Sequence, residues 1–297
     1  MKFGAIDIGT NAARLLIGEV TDTNKKNFVK KISYTRIPLR LGLEVFEKGR
    51  ISEEKVEEFV KSMKAFKLLS EVFAVEELRA CATSAMREAE NGKEIKKRIK
   101  KETGVNIEII EGAEEAKLIL STFFLLDSDT QAPFVVIDVG GGSTEISIFK
   151  KGEKVASQSF AVGTIRLLKG KVKSGIWEEL NEWMDTNFKK NTSYVTFATG
   201  GNINKIHKIL GKKSTEPIGV KEFSDLYKTI SSLDYEDRVS EYKLKPDRAD
   251  VIVPAFEIYL NVFKKINTKE VYVPKIGLSD GMIYNLHKKH IRKKAKS

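Results

Sequence analysis

One loop signature occurs twice in this 297-residue chain, at its start and near its middle. Phe3-Gly-Ala-Ile-Asp-Ile-Gly-Thr-Asn-Ala-Ala-Arg-Leu-Leu-Ile17 and Val135-Val-Ile-Asp-Val-Gly-Gly-Gly-Ser-Thr-Glu-Ile-Ser-Ile-Phe149 each run apolar strand, Asp, Gly turn, hydroxyl residue, apolar strand. A single copy reads as an ordinary hairpin whose Gly serves the turn. Two copies in the same order point to an internally repeated architecture. In each, Gly lets the backbone approach a ligand closely, so that main-chain N–H groups and the Thr10 or Ser143 hydroxyl can point at phosphate oxygens. The two hairpins are expected to face each other across a phosphate-binding cleft.

The rest of the chain fits two α/β lobes of related topology. In the first half the pattern predicts strands at 2–8, 13–20 and 28–39, and a helix at 52–72 opened by Ser52-Glu-Glu-Lys55. A strand at 77–81, a helix at 91–102, a strand at 105–110 and a helix at 112–125 follow. Leu126-Asp-Ser-Asp-Thr-Gln-Ala-Pro133 is polar and closed by Pro, which places the lobe boundary at 126/127 and a hinge for lobe closure there. The second lobe, 127–297, restarts with strands at 134–138, 144–149 and 154–161. It continues with a helix at 175–189, a strand at 194–198, helices at 202–211, 220–231 and 247–265, and a strand at 270–274. A last helix follows Leu278-Ser-Asp-Gly281 and is expected to pack back on the first lobe. Pro254 is expected to kink the 247–265 helix.

Composition narrows the function. A 41% hydrophobic and 31% charged chain is globular, and one cysteine, Cys81, excludes an internal disulfide. With no charged-then-apolar leader or long apolar run, the expectation is a cytoplasmic protein without a membrane partner. The formal charge of +11 calls for an anionic partner. His287-Lys-Lys-His-Ile-Arg-Lys-Lys-Ala-Lys296 concentrates part of that charge, either as a solvated helix end or as a docking strip for a polyanion. Specific nucleic-acid binding is not expected. A homodimer is the default assembly.

Six motifs carry a resemblance: Asp7-Ile-Gly-Thr-Asn11, Ala82-Thr-Ser-Ala-Met-Arg-Glu-Ala89, Ile110-Glu-Gly-Ala-Glu-Glu-Ala116, Asp138-Val-Gly-Gly-Gly-Ser-Thr-Glu145, Ala198-Thr-Gly-Gly201 and Leu278-Ser-Asp-Gly281. In this order they resemble the exopolyphosphatase/guanosine pentaphosphate phosphatase (Ppx/GppA) family. The resemblance implies the actin/sugar kinase/Hsp70-like (ribonuclease H-like) fold, with phosphate bound by Gly9, Thr10, Asn11, Arg14, Gly140, Gly141, Gly142, Ser143, Gly200 and Gly201. Spacing alone leaves Glu114 and Glu115 equivalent at the start of a helix, and the resemblance selects Glu115 as general base. It likewise implies Arg87 as a catalytic arginine, whose guanidinium fork suits phosphate oxygens. Asp138 and Glu145 are implied partners of Mg²⁺, a hard cation that takes one or two carboxylates beside phosphate. With one Cys and three His at 207, 287 and 290, a zinc site is not expected. Arg166 is a weaker phosphate candidate, Asn202 stands where many relatives carry Thr, and Asp280 is expected to cap the final helix.

The implied reaction is Mg²⁺-dependent removal of terminal phosphate from inorganic polyphosphate. The alternatives are hydrolysis of pppGpp to ppGpp and a sensor that binds polyphosphate or alarmone without turnover. An ATP-dependent actin or chaperone relative would need substrate-binding or polymer-contact segments that this chain lacks.

Overall fold

The computed structural model describes residues 1–23, 26–123, 132–189 and 192–294. The chain forms two compact units, Met1–Ser128 with Ile276–Ser297, and Asp129–Lys275. The expected boundary at 126/127, and the hinge residues up to 131, lie outside the described residues.

The first unit contains β1 (Phe3–Ile8), β2 (Ala13–Thr23), β3 (Lys26–Ile37), α1 (Leu41–Lys48), α2 (Glu53–Val72), β4 (Glu77–Ala82), α3 (Ser84–Glu88), α4 (Gly92–Thr103), β5 (Ile107–Ile109) and α5 (Gly112–Phe123). Its sheet runs β3-β2-β1-β4-β5, with β1, β4 and β5 parallel and β2 and β3 antiparallel. β1 is buried along its whole length, as its nearly unbroken apolar run requires of a central strand. In α2, Val56, Phe59, Val60, Met63 and Phe66 recur at helical spacing and form its buried stripe. Ser52 caps this helix by accepting from the Lys55 N–H at 3.3 Å, a cap of about 1 kcal/mol.

The second unit contains β6 (Phe134–Val139), β7 (Thr144–Lys150), β8 (Glu153–Phe160), α6 (Thr164–Leu168), α7 (Ile176–Asn187), β9 (Val195–Thr199), α8 (Gly201–Ile209), β10 (Ile218–Gly219), α9 (Val220–Ser232), α10 (Tyr235–Glu241), α11 (Pro246–Ala249), α12 (Ile252–Ile266) and β11 (Glu270–Val271). Its main sheet runs β8-β7-β6-β9, repeating the β3-β2-β1-β4 order of the first. The last helix, α13 (Leu278–Lys294), belongs to the first unit and packs on β1, β2 and α5.

Several predicted elements change on folding. The single helix expected over 247–265 is two: α11 ends at Ala249 and α12 starts at Ile252. Pro254 therefore sits in the first turn of α12, where no intrahelical N–H donor is needed, and it does not kink a continuous helix. The strand expected at 270–274 is reduced to Glu270–Val271 plus a bridge from Tyr272 to Phe197. The short helices α1, α3, α6 and α10 were not anticipated.

The terminal motif explains how α13 meets α5. Asp280 is 5% exposed, accepts from the Gly277 N–H at 3.0 Å, and pairs with Lys31 at 3.0 Å, fastening the helix start to β3. Burial pushes its carboxyl above the ordinary range, and the Lys31 charge opposes that shift. One residue on, a Cβ at Gly281 would lie 2.0 Å from the Leu118 carbonyl oxygen, so only glycine permits this helix crossing. Helix propensity favours Ala over Gly by about 1 kcal/mol, but here the added carbon meets rigid backbone of α5. Gly281→Ala should lower stability by roughly 1–3 kcal/mol in urea or thermal unfolding, reversing the propensity effect. A stability equal to or above wild type would contradict the close crossing.

Candidate active site

Each glycine turn is braced by the same device. Gly9 N–H donates to Ala12 O at 3.1 Å and Gly140 N–H to Ser143 O at 2.9 Å, closing turns of equal size between paired strands. A helix then returns after the third strand and spends its unpaired N-terminal N–H groups on the turn. In the first unit Arg40 N–H donates to Asn11 O and Gly42 N–H to Thr10 O, each at 3.0 Å. In the second, Thr164 N–H reaches Gly140 O at 3.0 Å, and Ile165 and Arg166 N–H reach Gly141 O at 2.8 and 3.2 Å. Arg166 Nε also donates to Gly142 O at 2.9 Å. Neither α1 nor α6 has a side-chain cap, because the turn carbonyls take that role.

The consequence is a polarised loop. With the carbonyls of Gly140, Gly141 and Gly142 turned toward α6 and Arg166, the N–H groups of Gly141, Gly142 and Ser143 have no acceptor among the described residues. Successive uncommitted amides form an anion-binding nest. Gly163 makes the brace sterically possible, since a Cβ there would stand 2.5 Å from Gly142 and Ser143 backbone atoms.

The carboxylates differ between the copies in an informative way. Asp7 faces Arg14 across β1 and β2, and the two form an ion pair at 2.7 Å. A Cβ on Gly9 would be 3.5 Å from Arg14 Nη1, so this guanidinium lies beside the first turn. At the equivalent slot Asp138 faces Glu145, putting two acids on one face of the strand pair. Glu145 Oε1 accepts from Ser143 Oγ at 2.7 Å and Ser159 Oγ at 2.6 Å, and Asp138 Oδ1 from Thr199 Oγ1 at 2.8 Å. The Ser143 hydroxyl, expected to face phosphate, thus donates its proton to Glu145. The fully buried Tyr259 donates to Thr199 O, and burial followed by the Asp138 charge raises its phenol well above the usual range.

Gly200 and Gly201 adjoin the second turn. Gly200 has φ +119° and would bring a Cβ within 2.7 Å of Val139 O and 3.4 Å of Asp138 Oδ1, so α8 begins directly against the end of β6. Asn202 is buried in the first turn of α8. Asp138, Gly140 to Ser143, Glu145, Gly200 and Gly201 therefore form one cluster in the second unit.

In the first unit the parallel strands end together. Thr83 N–H bonds Ile8 O at 3.1 Å and Ile110 N–H bonds Ala82 O at 2.9 Å, so the first turn, α3 and α5 leave one edge of the sheet. This is the carboxyl edge, where α/β sheets bind ligands. Arg87 on α3 donates through Nη1 to Ile110 O at 2.6 Å and lies 3.6 Å from Glu111, fixing it beside the entry to α5. Glu114 lies 3.8 Å from Arg79, which also pairs with Glu108 at 2.7 Å. Glu115 in the same turn is half-buried, as Glu114 is, and its Oε2 is enclosed.

A divalent cation fits this donor set. Asp138 and Glu145 are paired hard-oxygen donors, and Mg²⁺ ordinarily takes one or two carboxylates and completes its shell with water and phosphate. Among the described residues no group of three or more His, Cys, Asp or Glu converges, which does not suit a protein-only metal cage. Burial raises the Cys81 thiol to about 12, leaving it protonated and unsuited to metal binding at neutral pH.

Sequence comparison places these features in context. The pattern of the Ppx/GppA phosphatase family matches residues 20–290. The chain belongs to this family. Exopolyphosphatase 1 of Mycobacterium tuberculosis is 29% identical over 167 residues, 56% of this chain and 48% of that protein, so the match spans about half of that relative. Exopolyphosphatase 1 of Mycobacterium leprae is 23% identical over 306 residues, covering 95% and 88% of the two chains. The crystal structure of an exopolyphosphatase from Cytophaga hutchinsonii superposes with a TM-score of 0.84 at 24% identity, covering 96% of this chain and 97% of that one. The two units repeat one mixed-sheet topology, and the chain shares the fold of that exopolyphosphatase structure. No helix among the described residues is long and apolar enough to cross a membrane.

Sequence reasoning missed the braces: Gly163, the N-terminal amides of α1 and α6, and the Tyr259–Thr199–Asp138 chain. Their only local signal is Val162-Gly-Thr-Ile-Arg166, in which Arg166 emerges as a loop support. If the brace sets the amide nest, Gly163→Ala should weaken tripolyphosphate binding at least tenfold in calorimetry. Unchanged affinity in a folded variant would refute the brace.

Proposed function

We propose that this protein is a Mg²⁺-dependent exopolyphosphatase, hydrolysing the terminal phosphoanhydride bond of inorganic polyphosphate and releasing orthophosphate. The observation that carries the reading is the polarised second loop, whose carbonyls are tied to α6 while its amides have no acceptor. Phosphoryl transfer depends on positioning and charge neutralisation, which such amides and a guanidinium can supply. Family membership and the mycobacterial relatives agree with this substrate class.

In this reading the amides of 141–143 hold phosphate oxygens, and Arg14, oriented by Asp7, adds positive charge at the first turn. Arg87, anchored on Ile110 O, adds a second guanidinium. Glu115 takes a proton from water as that water attacks the terminal phosphorus. The bridging P–O bond breaks, and its electron pair leaves with the shortened chain. Asp138 and Glu145 would hold Mg²⁺, which when bound neutralises charge on the phosphate oxygens.

Supplying polyphosphate and pppGpp at equal phosphate concentration tests the proposal. Orthophosphate should appear from polyphosphate with Mg²⁺ and disappear with EDTA. Glu115→Gln should lower kcat by ~10²–10⁴ while retaining binding, and Glu114→Gln should lower it less than tenfold. Exclusive turnover of pppGpp would replace the substrate assignment, whereas tight binding without turnover of either compound would favour a sensor.

A further inference from the structure

The helix after Arg87 carries a charge pattern that the fold itself does not use. In α4, Gly-Lys-Glu-Ile-Lys-Lys-Arg-Ile-Lys-Lys-Glu-Thr over 92–103, Ile95 and Ile99 are buried. Lys93, Lys97, Lys100 and Lys101 are exposed and Lys96 is half-buried. None of these five lysines forms an ion pair among the described residues. Lysines of neighbouring α2 do, as in Lys55 with Glu58, Lys64 with Glu102, and Lys67 with Glu71. The α4 arginine, Arg98, is occupied by Glu53, Glu57 and Glu102 and serves to bind α4 to α2.

This arrangement disfavours the helix in isolation. Lys93–Lys97, Lys96–Lys100 and Lys97–Lys101 are like-charge pairs at i,i+4, which repel. Lys93 also lies in the first turn, at the positive end of the helix dipole, where a cation is unfavourable. The N-cap residue Asn91 gives that end no relief, because its side chain is bonded to both backbone groups of Ile51. A solvated salt-bridge face would show alternating acids. This face carries Glu94, and Glu102 is already held by Arg98 and Lys64.

Its position gives the pattern a use. Gly92 starts α4 against α3, with its N–H on Ala89 O at 2.9 Å and no room for a Cβ beside Met86 O. The stripe thus begins next to the short helix that presents Arg87, and runs about 12 Å from Lys93 to Lys101 at 1.5 Å per residue. We propose that the lysine face of α4 is a docking track for the distal part of an inorganic polyphosphate chain whose end is held near Arg87. This rests on the polyphosphate reading above and extends it to polymer length: long chains gain contacts that tripolyphosphate cannot reach.

Equilibrium binding of long-chain polyphosphate and of tripolyphosphate, measured over increasing NaCl in the Glu115→Gln background, tests the track. Lys93→Gln/Lys97→Gln/Lys100→Gln should weaken long-chain binding at least tenfold at low salt. It should also make the slope of log affinity against log salt shallower by about two. Tripolyphosphate affinity should change less than twofold. Lys213→Gln/Lys221→Gln/Lys269→Gln removes the same charge from the second unit and should leave long-chain affinity within twofold of the parent. Equal losses in both triple variants, equal losses for both ligands, or no loss would overturn the proposal. So would tighter binding of a single-stranded RNA of matched charge that is lost with the α4 lysines. Because binding is read without turnover, an inactive wild type that still shows the length-dependent loss would refute hydrolysis and keep the track.

Discussion

The structure depends on a small set of hydrogen bonds between the carbonyls of two glycine turns and the N-termini of two short helices. A helix start has N–H groups without intrahelical partners, and a tight turn has carbonyls that its own strands cannot reach. Joining the two satisfies both and leaves the second turn's amides directed elsewhere. In water such amides would be of little interest. On a turn fixed by Gly163, by the Thr164 and Ile165 amides and by Arg166, they are held in place before any anion arrives.

The duplication gives the copies one geometry and different charge. The strand position opposite Asp7 holds Arg14, and the position opposite Asp138 holds Glu145. One turn therefore carries an internal cation, and the other carries two acids suited to a divalent ion. Supporting groups extend this division. Thr199, whose carbonyl accepts from Tyr259, holds Asp138, and Ser143 and Ser159 hold Glu145, whereas Arg14 pairs with Asp7.

The turns, the principal strands and α2 were legible in the sequence because their signals are local: Gly beside Asp, unbroken apolar runs, and Ser52 ahead of an apolar stripe. The helices α1 and α6 were not, because partners distant in sequence cap them in place of their own Ser, Thr, Asp or Asn. Pro254 misled for a related reason: a first-turn proline and a kinking proline look alike until the break at 250–251 is seen. Spacing leaves Glu114 and Glu115 equivalent, and the Arg79 beside Glu114 comes from a different strand that no local pattern announces. Gly281 was visible as a motif residue, but its reason, the Leu118 carbonyl, belongs to another helix.

The most direct test of the central claim is the amide NMR spectrum of the Glu115→Gln protein titrated with tripolyphosphate and Mg²⁺. The account predicts saturable downfield shifts at Gly141, Gly142 and Ser143, as their N–H groups acquire phosphate acceptors. Binding that saturates while these three resonances stay fixed would contradict it.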